Sequence, residues 1–157
     1  MKLSTRSAIL FSGLVWLALG ILLLSKGMKY LVFVGSANPS GILIKQVSRL
    51  GGDPHQGALI LICLSLVLGL FKGRVVMKKA VNRVVERIRS FPSPIPLSAI
   101  YSKGYLFLIG GMTLMGISFK FLPLSIDIKG FIDCAVGAAL INGAMLYIRA
   151  AYEPVRS

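Results

Sequence analysis

The chain has 157 residues, 55% of them hydrophobic and 15% charged, with a mean hydropathy of +0.80 and a net charge of +13. Soluble domains are less apolar than this, and here the apolar residues fall in long blocks, as lipid-embedded spans require. The 18 lysines and arginines flank those blocks, which points to anionic lipid headgroups as the partner and away from nucleic acid. The expected class is an all-α integral membrane protein, a single membrane domain over 1–157, with four transmembrane helices paired as two hairpins.

Lys2 and Arg6 precede an uncharged run from Ser7 to Ser25. The run is longer than the apolar centre of a signal peptide, and no A-x-A-like cleavage site follows it. It is read as a retained first span over about 8–25. Residues 26–54 are expected to form a loop on the non-cytoplasmic side. Within it, Tyr30–Ile44 contains two short apolar runs separated by Gly35-Ser-Ala-Asn-Pro-Ser-Gly41. So many breakers argue against a continuous helix, leaving a surface hairpin or short helices as one form and a re-entrant loop as the other.

Asp53-Pro54 opens the second span, about 55–72. Aspartate accepts bonds from the first free amides of a helix, and proline suits the first helical position. From 74 to 90 the pattern turns amphipathic. Met77, Val81, Val84 and Ile88 recur on one face, widened by Val76, Ala80 and Val85, while Arg74, Lys78, Lys79, Arg83, Arg87 and Arg89 supply the charge. No strong breaker separates this segment from span two, so the two can form one helix. It should end in the proline-rich joint at 91–97. A third span over about 101–122 and a fourth over about 130–148 complete the chain. The N-terminus, central segment and tail carry twelve of the basic residues and the remaining loops six. The positive-inside rule therefore places both termini and the amphipathic helix in the cytoplasm, in a plasma or bacterial inner membrane.

The halves echo each other. Asp53 to Ile60 resembles Asp133 to Leu140, and Leu19-Gly20-Ile21 resembles Met115-Gly116-Ile117. A parallel internal repeat about an axis along the membrane normal would give such a pattern. Small residues recur at helix spacing as Gly13 and Gly20, Ser65, Gly69 and Gly73, and Ala135, Ala139 and Gly143. They let backbones approach closely, either inside one chain or between copies in a homo-oligomer or with another membrane protein. Asp133, Asn142 and Thr113 are the candidate polar pathway. Helix capping of span four and an interhelical hydrogen bond are the plainer readings of Asp133 and Asn142.

No acid–base pair, nucleophile–base pair or metal-ligand set occurs, so no catalysis, metal or cofactor is expected. His55 is the only histidine, and Cys63 and Cys134 lie at different depths in their spans. The first functional expectation is a non-enzymatic scaffold or accessory subunit touching anionic lipid or a partner through residues 74–89. The second is a small oligomeric channel or transporter with its path between the halves.

Overall fold

A computed structural model describes residues 2–37, 41–90, 95–96 and 121–153. Among the described residues the helices are α1 (Thr5–Ser36), α2 (Ile42–Gly51), α3 (Pro54–Ser90) and α4 (Ile126–Tyr152). Two-residue strands β1 (Lys2–Leu3) and β2 (Ile95–Pro96) pair antiparallel beside the start of α1. Helices α1, α3 and α4 are each long and apolar enough to cross a membrane. Most of the expected third span, with Thr113 and the Met115–Ile117 half of the repeat, lies outside the described residues, as does the proline joint apart from Ile95–Pro96.

Helix α1 corrects the expected loop at 26–54. It starts at the Ser4 cap, whose hydroxyl accepts from the Ser7 amide at 3.3 Å, and runs without interruption through Lys26, Gly27 and Lys29 to Ser36. One glycine costs a helix only about 1 kcal/mol, and no proline occurs before Pro39. The helix stops where the Gly35–Gly41 breakers begin. Helix α2 follows from Gly41 and ends at Gly52, the one positive-φ glycine among the described residues at 76°. Gly52 returns its amide to the Ser48 carbonyl at 2.7 Å, a left-handed C-terminal cap. Asp53 then caps α3 by accepting from the His55 amide at 3.3 Å. From there 37 residues run in one helix, about 55 Å long at ~1.5 Å per residue.

Close backbone approaches set the bundle's register. Cβ atoms added at Gly13, Gly20 and Gly27 would lie 2.9 Å from Tyr147, 2.8 Å from Ile141 and 2.6 Å from Cys134 in turn. Residue number rises along α1 as it falls along α4, so the two are antiparallel. Gly69 meets Ala135, Gly73 meets Ala139 and Met77 meets Gly143, so α3 and α4 are parallel. Gly35 against Ala58 places α3 antiparallel to α1.

Two apolar clusters fill the bundle. Leu31, Val34, Ile44, Ala58, Leu61, Ile62 and Cys134 form one at the α2 end. The other joins Ala8, Ile9 and Trp16 of α1 to Met77, Val81, Val85 and Ile88 of α3 and to Leu140, Ala144 and Tyr147 of α4. The Trp16 and Tyr147 rings lie 6.3 Å apart between centroids, in a tilted pair.

This register bears on the repeat. Gly57 lies beside α2 at one end of the bundle, whereas its counterpart Gly137 abuts Gly20, near the middle of α1. The echoing motifs are thus about 20 Å apart along the bundle, at ~1.5 Å per residue. An axis along the bundle does not relate them at that register.

Candidate functional site: the outer face of α3 and its groove with α4

The amphipathic half of α3 is not left to find a cover. Met77, Val81, Val85 and Ile88 are all buried against α1 and α4 of the same chain. Val76, expected on that stripe, is 57% exposed, because the buried line passes through Val85 and turns Val76 outward. The basic side chains stay on the surface: Arg74, Lys78, Lys79, Arg83 and Arg87 are exposed, together with Glu86, Val75 and Val76. Arg89 departs from this group. Its guanidinium donates to the carbonyls of Ala150 at 2.9 Å and Glu153 at 3.2 Å, tying the last turn of α3 to the C-terminus of α4. A cation is well placed against those free carbonyls. Nearby, Arg6 lies 4.5 Å from the centre of the Tyr152 ring.

The axial register carries a consequence for depth. Because Gly73 abuts Ala139 and Gly20 abuts Gly137 and Ile141, Lys72 and Arg74 lie level with Gly20, inside the uncharged run of α1 and nearer its Lys26 end. The sequence alone makes them the end of a span. In the bundle they stand about 20 Å from the level of Arg6, at ~1.5 Å per residue, and both are exposed.

Arg74 lines a groove of about 700 Å³ on the outer side of the α3–α4 seam. Val67, Leu70 and Phe71 line the groove from α3, and Met145, Leu146 and Ile148 from α4. Asn142 lies between them, its amide nitrogen donating to the Leu70 carbonyl at 3.2 Å, and Arg149 also borders the groove.

The small residues are engaged within the chain. Gly13 and Gly20 face α4, Gly69 and Gly73 face Ala135 and Ala139, and Gly143 faces Met77. Ser65 is fully buried and donates to the Ile62 carbonyl at 2.8 Å. Of the candidate polar pathway, the two described residues, Asp133 and Asn142, are not brought together. Asp133 lies inside α4, not at its start, and pairs with Lys26 of α1 at 3.2 Å. Asn142 is nine residues further on, half-way round the helix at 3.6 residues per turn, and faces α3. Thr113 lies outside the described residues.

Sequence reasoning assigned no role to Asp127, which is fully buried at the start of α4. One of its oxygens accepts from the Leu43 amide at 2.7 Å and the Ile44 amide at 3.1 Å, so it caps α2 from another element. The second oxygen accepts from the Ile128 amide at 2.9 Å. A Cβ on Gly41 would collide with this carboxylate, so Gly41 is needed for space and not for a positive φ. The aspartate four residues into the expected short loop was visible in sequence, but nothing local linked it to residues some eighty positions earlier. No known family model, curated protein or solved structure matches the chain.

Proposed function

We propose that this is a non-enzymatic, multi-pass membrane protein that engages anionic lipid headgroups through the exposed cations of α3, as a scaffold or accessory subunit. The observation that carries this reading is the burial of Met77, Val81, Val85 and Ile88 within the chain. With the apolar stripe already covered, the segment offers its environment the charges of Lys78, Lys79, Arg83 and Arg87. Each basic residue near an anionic leaflet contributes about 1 kcal/mol of attraction. The same charge asymmetry favours cytoplasmic termini under the positive-inside rule.

A fourth crossing belongs to the proposal. β2 pairs with β1 at the Arg6 end of the bundle, and α4 starts at the opposite end, so the chain between Pro96 and Phe121 joins the two ends. That stretch contains an uncharged run from Gly104 to Phe119, close to what a bilayer core of about 30 Å demands. The channel or transporter reading lacks comparable support, since Asp133 and Asn142 face different helices.

The test is binding of the full chain, in mixed nanodiscs, to vesicles with and without phosphatidylserine. Charge-neutral substitution of Lys78, Lys79, Arg83 and Arg87 should abolish the preference for anionic vesicles. An unchanged preference overturns the reading.

A further inference from the structure

The chain has five acidic residues, and all of them are described. Asp53 caps α3, Asp127 is enclosed by backbone amides, and Asp133 holds Lys26. Glu153 reaches Arg149 only at 3.9 Å, with both side chains largely exposed. Glu86 is on α3 itself, about three turns beyond Arg74. None of these side chains pairs with Arg74. Its backbone lies level with Gly20, inside the apolar run of α1, where a charge without a partner is unfavourable, so an anion from outside the protein would stabilise it.

The groove specifies what kind of anion. Val67, Leu70 and Phe71 continue it past Arg74 towards the α2 end, and Arg149 marks its other end, level with the basic surface. Phe71 is 79% exposed and Met145 64%, so its walls open sideways to where lipid lies. A ligand with a charged head and an apolar tail matches this sequence of chemistry, and a small soluble anion would leave the apolar half empty. Deepening the proposal of an anionic-lipid face, we infer that the α3–α4 groove holds one anionic phospholipid, its phosphate between Arg74 and Arg149 and an acyl chain along Val67, Leu70 and Phe71. A guanidinium is suited to that phosphate because it forms paired, charge-assisted hydrogen bonds.

Native mass spectrometry of the full chain, released from nanodiscs of equimolar phosphatidylglycerol and phosphatidylcholine, tests the inference. The expected result is one retained phosphatidylglycerol per chain in preference to phosphatidylcholine. Arg74→Gln with Arg149→Gln should lower that retention at least about tenfold, the loss expected when charge-assisted pairs are removed. Both positions are exposed, and an unchanged melting temperature checks that the variant folds. Met145→Trp, which fills the groove and leaves its charges, should lower retention as well. Neutralising Lys78, Lys79, Arg83 and Arg87 should leave it intact, so this site and the vesicle-binding reading fail independently. Equal retention of both lipids, unchanged retention in the double arginine variant, or displacement by inorganic phosphate would each overturn the inference. So would a native chain that retains no lipid.

Discussion

At the α2 end of the bundle, Asp127 is closed on two amides of α2, and Asp133 is held by a lysine from α1. Towards the other end, Lys78, Lys79, Arg83 and Arg87 are exposed with no described carboxylate in ion-pair range. The first region uses polar groups to join elements of one chain. The second leaves charge for the surroundings, with its apolar side already closed by Trp16, Leu140 and Tyr147. Substitutions at the α2 end should therefore cost stability, and those on the basic face should cost binding while leaving the fold intact.

The largest stability effect is expected for Asp127→Ala. It strands the Leu43 and Ile44 amides, and an unsatisfied buried donor costs about 1–3 kcal/mol, giving a loss of about 2–6 kcal/mol for the pair. Thermal unfolding in detergent, with amide exchange at Leu43 and Ile44, measures it. Unchanged melting would remove the cap from the account of how α2 is held. Gly41→Ala should follow at about 1–3 kcal/mol, as overpacking against the same carboxylate, with faster exchange in α2 and none in α4.

Smaller still is the Lys26–Asp133 pair, whose lysine side chain is 54% exposed. A double-mutant cycle with Lys26→Met and Asp133→Leu should return a coupling of about 0.5–1 kcal/mol, since exposure screens the attraction. Zero coupling would make the contact incidental. Last, Lys78→Gln with Arg83→Gln should shift stability by no more than about 0.5 kcal/mol, the usual range for surface positions. A larger loss would mean that these side chains support the bundle, erasing the contrast between its two ends.

Gly27 shows why the reach of α1 was hidden in its sequence. A lysine, a glycine and a second lysine look like the exit from a membrane, and only contact with Cys134 and Asp133 makes them part of a helix's interior. Val76 and Val85 make the same point for α3. Periodicity admits both to one apolar face, and the neighbours choose Val85.

By itself, the sequence determined that the chain is helical and apolar in blocks, that a break falls between Gly35 and Gly41, and that α3 starts after Asp53. These are local properties: the free-energy cost of charge in lipid, the geometry of glycine and proline, and capping by the first side chain. The tertiary structure alone decided that Asp127 caps α2, that Asp133 meets Lys26, and that Arg74 lies on the α3–α4 groove level with the apolar run of α1. Helical periodicity defines a face but not an axial register, and small residues mark where backbones can approach without naming the helix that does so.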